Sequence, residues 1–391
     1  RHTRWPRDWS SDVCSSDLTD EQMMIRDMVR EFAHGEIEPY AQEYNTRGEY
    51  PADILKKLGS LGLFGMMVPE TYGGAAAGAV SYSLALQEIA WACASVAVTL
   101  SVTNLCTEPI LQFGTEEQKR EFLTPLASGE HVGAFALTEP DAGSDPSSLK
   151  TSAVKKGSGY ILNGTKQFIT NGSYAGVFIL IARTSSDKNG LTAFLIPKGA
   201  RGLRAGKEEK KMGLLSSNTV EMILEDCEVP ARNVLGKPGL GLKVALGALD
   251  SGRIGIASQA TGMIGASLHE AVAYASERRQ FGKAIIRHQS IGNMIADIAV
   301  DHEAAQLLTW SAASLKDRKV PFSREASIAK LFATEAANRS AYKALQVFGG
   351  YGYIRDNKIE RIYRDARVTT IYEGTSEVQR MVIARETEKG V

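Results

Sequence analysis

Cysteine is scarce in this chain. Four residues, Cys14, Cys93, Cys106 and Cys227, are spread over 391 positions without a CxxC pair or a zinc spacing. That excludes a disulfide scaffold and a cysteine metal site, and fits reduced thiols in a cytosol-like compartment. An excess of charge is also missing: 45 basic residues balance 45 acidic ones. Neither nucleic acid nor a membrane surface is therefore expected as a partner. No apolar run is read as a membrane span, and no membrane insertion is expected. The longest uncharged stretch, "IAWACASVAVTLSVTNLCT", is rich in Ala, Ser and Thr and reads as a buried core helix. Internal repeats and low-complexity tracts are absent.

Common nucleotide and hydrolase fingerprints are missing as well. Gly239-Leu240-Gly241 is followed by Val244 where a dinucleotide motif needs a third glycine, and Gly350-Tyr351-Gly352 by Arg355. There is no GxxxxGK[ST] and no HExxH, and "GTSEV" ends in Val378 where a nucleophile elbow ends in Gly. A nucleotide cofactor would have to be held in another way. No metal site is expected.

Residues 1–18, "RHTRWPRDWSSDVCSSDL", match neither a signal peptide nor a transit peptide, because an apolar segment is missing and acids are present. They read as a non-native leader.

The remainder of the chain alternates in character. From Thr19 the pattern is helical, with Ile25, Met28, Val29 and Phe32 on one face. Near Val132 it turns to β. Asn163-Gly164 within "GYILNGTKQFIT" predicts a hairpin, and "GVFILIART", "LTAFLIP" and "NTVEMILEDCEVP" predict further strands. "NVLGKPGLG" reads as a linker. From Leu242 helical periodicity returns, with Ile254, Ala257, Thr261, Ile264 and Leu268 on one face, then Ile291, Met294, Ile295 and Ile298, then Ile328, Leu331 and Phe332. The expected fold is α+β and multidomain. A helical domain spans 19–130, a small β-barrel-like domain 131–235, and a four-helix bundle 236–391.

Certain stretches carry chemistry. "FALTEPDAGSD", residues 135–145, is a strand end running into hydroxyl-bearing and Gly residues, suited to an anion or a polar ring edge, or to a surface turn. "ERRQFGKAIIRHQ" places Arg278, Phe281 and Gln289 near helical spacing, a cation beside an aromatic. "QVFGGYGY" reads as a helix C-cap that also lets a backbone approach a ligand closely. "IYEGTSEVQR" sets Glu373 on a Gly-Thr-Ser turn, either as a helix cap or as a base at a pocket.

Taken in order, "FALTEPDAGSD", "QFITNG", "DSGRIGIASQA", "RRQFG", "QVFGGYGY" and "IYEGTSEVQR" resemble the acyl-CoA dehydrogenase family of flavoproteins, from Leu18 to the end. "SGRIGIASQA" and "LLTWSAASLKD" are most similar to its short-chain, butyryl-CoA branch. The resemblance implies the three-domain fold just described and FAD as cofactor. It implies flavin contacts at Phe135, Leu137, Thr138, Ser144, Phe168, Ile169, Thr170, Thr375 and Glu377. It also implies that Arg278, Phe281, Gln289, Gln346, Gly349 and Gly350 reach the FAD of a neighbouring subunit in a homotetramer, a dimer of dimers. Acyl-CoA would touch Ser144, Asp250, Arg253, Tyr372 and Gly374. Glu373 would remove the α-proton while hydride leaves Cβ toward flavin N5, giving trans-2-enoyl-CoA. The backbone N–H of Glu373 would help bind the thioester oxygen.

Some relatives carry the base just before the residue matching Arg253, where this chain has Gly252. Two departures stand out: Phe168 where many relatives have Trp, and Leu215 where relatives often have Arg. An electron-transfer flavoprotein is the implied electron acceptor. The implied location is the cytoplasm of a bacterium or the mitochondrial matrix of a eukaryote. The competing readings are a branched short-chain (isobutyryl or 2-methylbutyryl) dehydrogenase, an oxidase, and a catalytically silent relative serving in assembly.

Overall fold

The computed structural model describes residues 18–187 and 190–389. The expected leader lies outside them except for Leu18, which is buried against the helical core.

Helix α1 (Asp20–Phe32) starts at Thr19. The Thr19 hydroxyl accepts from the Gln22 amide and the Gln22 side chain returns the bond, a capping box that satisfies two orphan backbone donors. Val29 is buried and Met28 is left exposed. A π-helical turn leads into α2 (Glu38–Arg47), and α3 (Ala52–Ser60) comes next. The long uncharged stretch is two helices, α4 (Gly78–Ala92) and α5 (Ala94–Phe113), because Cys93 between them is extended at φ −155°. By length and composition α5 could cross a membrane, which corrects the expectation that no run is long and apolar enough, but 89% of its apolar window is buried inside the protein, as a buried core helix requires. Two short helices, α6 (Glu116–Gln118) and α7 (Thr124–Ala127), close this block.

The central block is one eight-stranded sheet. Its strands are β1 (Gly133–Ala136), β2 (Ser152–Lys156), β3 (Gly159–Thr170), β4 (Val177–Arg183), β5 (Leu191–Pro197), β6 (Leu203–Glu208), β7 (Thr219–Pro230) and β8 (Val234–Leu235). The order is β6-β7-β3-β2-β4-β5-β8, with β1 parallel to β4. The chain reverses between β2 and β3 at Gly157-Ser158, and not at Asn163-Gly164 as the sequence predicts. Asn163 is occupied across the sheet: its amide donates to Asp226 at 3.1 Å and its carbonyl accepts the Asp226 amide at 2.7 Å. Gly164 sits where the backbone presses on β2, and a Cβ there would meet the Thr151 hydroxyl at 2.6 Å. The Asn-Gly pair therefore makes an irregularity inside one strand.

The C-terminal block is built on α8 (Gly241–Glu277), a helix of 37 residues. A small hairpin of β9 (Arg279–Gln280) and β10 (Lys283–Ala284) succeeds it. Then come α9 (Gln289–Asp317), α10 (Ser323–Phe348), α11 (Lys358–Ala366) and α12 (Ser376–Lys389). Arg278, Phe281 and Gln289 thus lie on a hairpin and its flanks, away from helical spacing. Phe281 is at φ +52° and almost fully exposed. The core-facing stripe of α10 is also not the predicted one. Ala326, Ala329, Ala333, Ala336, Ala337 and Ala341 are buried, whereas Ile328, Leu331 and Phe332 are half-buried. Small side chains let α10 pack closely against α8, and the larger ones are left on its outer flank. Ile291, Met294 and Ile295 of α9 are half-buried in the same way, and only Ile298 of that set is fully covered. One core runs from α4 and α5 into α8, α9 and α10, so the first and last blocks share their apolar interior.

Candidate active site

The turn between α11 and α12 carries the site. Glu373 is at φ +50° and Gly374 at φ +90°, a left-handed pair that costs free energy for a residue with a side chain. Several groups hold it. Lys330 of α10 donates to the Gly374 carbonyl at 2.7 Å. The Gln379 amide donates to the same carbonyl at 2.9 Å. Ser376 donates to Glu335 at 2.7 Å. The capping of α12 is done by Thr375, whose hydroxyl accepts from the Val378 amide at 3.3 Å. Glu373 is therefore not the cap.

The Glu373 carboxylate instead points into the helical wall. Both of its oxygens are buried and neither has a hydrogen-bond partner among the described residues. A Cβ on Gly252 would lie 2.4 Å from Glu373 Oε2, so α8 presents bare backbone to the acid. Leu105 of α5 packs at the same point. Loss of water pushes the carboxyl up to about 7, against the opposing pull of Lys330 and Arg253. An unpartnered buried carboxylate is costly in a fold but suited to accepting a proton near neutrality.

Arg253, one residue beyond Gly252, is buried and paired with Asp250, which also accepts from Ser323 at 2.9 Å. The Arg253 Nε has no partner among the described residues. Tyr372 donates to Gln259 of α8, and Gln259 in turn donates to the Ala94 carbonyl at 2.9 Å. The structure thus gathers Glu373, Gly374, Tyr372, Arg253 and Asp250 around one stretch of α8.

The sheet side approaches from α5. Asn171, fully buried, donates to the carbonyls of Thr99 at 3.2 Å and Gly133 at 2.9 Å, tying the end of β3 to α5 and β1. Phe135 is on β1 and Leu137 just past it, and the Thr138 carbonyl accepts from Gln167 at 2.8 Å. The loop beyond is anchored by a buried ion pair, Lys166 to Glu139 at 2.8 Å, and Glu139 also accepts the Lys150 and Thr151 amides. Ser144 is exposed on that loop. Phe168 stands at φ +58° in an irregularity of β3, with its ring 62% exposed. Ile169 is buried beneath, so only its backbone can meet a ligand, and Thr170 is half-exposed. The Thr138 and Thr170 hydroxyls make no hydrogen bond among the described residues. An exposed ring with free hydroxyls and strand-end amides beside it fits a planar, polar-edged ring system such as a flavin. Glu377 is exposed in the first turn of α12.

A second cluster lies elsewhere. Arg278, Gly349 and Gly350 line an open groove of about 570 Å³ with Tyr274, Phe348 and Tyr351, and the Arg278 guanidinium lies 5.6 Å from the Tyr351 ring centre. Gln346 is on the last turn of α10, and Phe281 and Gln289 are exposed beside the hairpin. Arg278 caps the end of α8, roughly 39 Å along its axis from Gly252 at 1.5 Å per residue. Leu215 is half-buried on a loop held to α11 by Leu214 and Asp365, and nothing in the structure explains its identity.

Three features escaped the sequence reading: the bare Gly252 backbone against Glu373, the Lys166–Glu139 pair, and Lys330. A signal existed for the last. Lys330 stands on the small-residue stripe of Ala326, Ala333 and Ala337, where an unbranched cation has no place unless it is used.

A strained turn that aims an unpartnered acid at a wall of helices, beside a sheet edge fit for a planar ring, is the layout of a general-base enzyme with a bound cofactor. Comparison with known proteins gives the family. The chain matches the acyl-CoA dehydrogenase N-terminal domain over 19–130, the middle domain over 134–227 and the C-terminal domain over 239–387. It is 50% identical to an acyl-CoA dehydrogenase of Bacillus subtilis, over 94% of this chain and 98% of that one. It is 47% identical to the mitochondrial short-chain specific acyl-CoA dehydrogenase of Mus musculus, over 95% and 90%. Among solved structures, butyryl-CoA dehydrogenase of Megasphaera elsdenii superposes with a TM-score of 0.93 at 44% identity, over 95% of this chain and 99% of that one. A chain from a structural study of the electron transferring flavoprotein of Acidaminococcus fermentans gives 0.94 at 45%, over 96% and 99%. The chain belongs to the acyl-CoA dehydrogenase family.

Proposed function

We propose that the protein is an FAD-dependent dehydrogenase of short-chain acyl-CoA thioesters, butyryl-CoA-like, forming trans-2-enoyl-CoA. The observation that carries the reading is the Glu373 carboxylate, buried, unpartnered among the described residues and relieved of capping duty by Thr375. In this reading Glu373 removes the α-proton. Its backbone N–H, fixed by the strained turn, binds the thioester oxygen as enolate character develops. Arg253 and Asp250 orient the acyl-CoA beside Tyr372 and Gly374, and Ser144 meets it from the sheet-side loop. Phe135, Leu137, Thr138, Ser144, Phe168, the Ile169 backbone, Thr170, Thr375 and Glu377 would hold FAD. When bound, FAD supplies hydride acceptance at N5 opposite Cβ.

A homotetramer built as a dimer of dimers is part of the proposal. Arg278 lies roughly 39 Å along α8 from Gly252, which favours Arg278, Phe281, Gln289, Gln346, Gly349 and Gly350 serving the flavin of another subunit. The half-buried Ile328, Leu331 and Phe332 give that subunit an apolar surface to cover. The domain division 19–130, 131–235 and 236–391 is supported by the change to strand at Gly133 and back to helix at Gly241. An electron-transfer flavoprotein is the proposed acceptor, in line with the Acidaminococcus fermentans study. The proposed location is the cytoplasm in a bacterium or, as the mouse relative is described, mitochondrial in a eukaryote.

Anaerobic flavin bleaching across straight and branched acyl-CoAs tests the reading. Butyryl-CoA should react with the highest kcat/KM, hexanoyl-CoA next, and dodecanoyl-CoA poorly. Each methylene in an apolar pocket is worth about 1 kcal/mol or somewhat more, so neighbouring lengths will differ modestly. Faster bleaching by isobutyryl-CoA would transfer the assignment to the branched-chain type. No bleaching by any thioester would leave a silent relative.

A further inference from the structure

Lys330 is fully buried on α10, and its ammonium makes one hydrogen bond among the described residues, to the Gly374 carbonyl at 2.7 Å. Among those residues no carboxylate pairs with it at salt-bridge distance. A buried ammonium without a counter-ion is as costly as a buried carboxylate without one, and here one lies in the Glu373 turn and the other reaches that turn from α10. The surrounding charges are otherwise satisfied. Arg253 of α8 faces the same space and also draws on Glu373, but it has its own carboxylate partner in Asp250. Glu335 of α10 accepts from Ser376 and lies near Arg380. Glu377 of α12 is exposed. Tyr82 of α4, Cys106 of α5 and Tyr372 also face Glu373, and burial with the nearby acid pushes all three upward, so they stay neutral. The two charges left over are Lys330 and Glu373, on adjacent sides of the turn.

We propose that Lys330 is the positioning residue of the base: its ammonium clamps the Gly374 carbonyl, and its charge keeps the neighbouring Glu373 carboxylate in the ionised form that accepts a proton. The inference rests on the reading of Glu373 as the base. The clamp acts on the left-handed Glu373-Gly374 pair, so it also fixes where the carboxylate points. As Glu373 takes a proton its charge vanishes while that of Lys330 remains, so Lys330 favours return of the base to its starting form. Burial lowers the ammonium itself to about 8, so its influence is complete below that pH and fades above it.

The test uses flavin-replete holoenzyme of wild type, Lys330→Met, Lys330→Gln and Lys330→Arg. The protonated Glu373 carbonyl band is followed against pH by infrared difference spectroscopy, with Glu373→Gln as the blank. Bleaching by butyryl-CoA is measured in parallel. K330M removes clamp and charge, K330Q keeps a donor without charge, and K330R keeps both. The Glu373 midpoint should rise by about 1 unit or more in K330M and K330Q, and K330R should stay near wild type. The pH dependence of bleaching should move with it. FAD content and Tm identify variants that are merely misfolded. An unshifted midpoint in a folded, flavin-replete K330M or K330Q would overturn the proposal. So would a midpoint in K330R displaced as far as in K330M. If Glu373→Gln itself bleached at the wild-type rate, the assignment of the base would fail instead, independently of any Lys330 result.

Discussion

A methyl group placed on Gly252 would lie 2.4 Å from a carboxylate oxygen of Glu373, although the two residues are far apart in the chain. Glycine at 252 leaves room for the Glu373 carboxylate, because α8 offers only backbone at that point. Gly252→Ala should fold and bind FAD, yet push the Glu373 carboxylate aside. A displacement of about 1 Å can cost on the order of 10²-fold in rate. Stopped-flow bleaching with butyryl-CoA should show that loss. A rate equal to wild type would mean that the acid relaxes without consequence.

Removing the proposed base is the more severe change. Glu373→Gln keeps the volume, and FAD content should be normal. Bleaching by butyryl-CoA should fall by about 10²–10⁴-fold or more. In wild type the rate should rise with pH through about 7 and level off, since only the ionised form can accept the proton in this reading.

The same acid makes a stability prediction. Its folded pKa, about 7, lies above the unfolded value of 4.5, so the folded state holds the proton more tightly. Ionised Glu373 therefore destabilises the fold fully above about pH 7, and the penalty fades as pH falls toward 4.5. Glu373→Gln should melt higher than wild type at pH 8, and the gap should close toward pH 5. Thermal melts at the two pH values check this; a gap independent of pH would contradict it.

The Lys166–Glu139 pair gives a prediction for the cofactor loop. Lys166→Met leaves Glu139 buried without its cation, a change that costs about 3–5 kcal/mol. Tm should fall, and FAD should dissociate more readily because residues 137–139 lose their anchor. Equilibrium dialysis of FAD together with a melting curve would show both effects. A variant with wild-type Tm and FAD affinity would show that the loop is held by its backbone bonds alone.

Arg278→Ala probes the proposed sharing of flavin with a second subunit. FAD should be lost on dilution, and sedimentation should show smaller species as the flavin leaves, since a ligand shared across the interface stabilises the assembly by mass action. A stable, fully flavin-loaded monomer would remove the basis for a shared site.

Much of this was legible in the sequence. The alternation of helical and β patterns marks the three blocks, because apolar spacing reflects directly which face is buried. The motif order points to the family, and "IYEGT" isolates Glu373. Other features depend on what lies across the interior. The break at Cys93 falls in a run that is apolar on every side, where periodicity gives no phase. Asn163-Gly164 carries a strong turn signal, but the side-chain bonds to Asp226 and the close backbone of Thr151 keep the strand running. The α10 stripe misleads because large apolar residues suggest the inward face, whereas close packing on α8 selects alanines. Whether Glu373 was a cap or a base could not be decided locally, since "EGTS" allows either. Tertiary structure gave the cap to Thr375 and brought Gly252, Arg253 and Lys330 from distant helices around a carboxylate with no hydrogen bond among the described residues, which supports the proposed base.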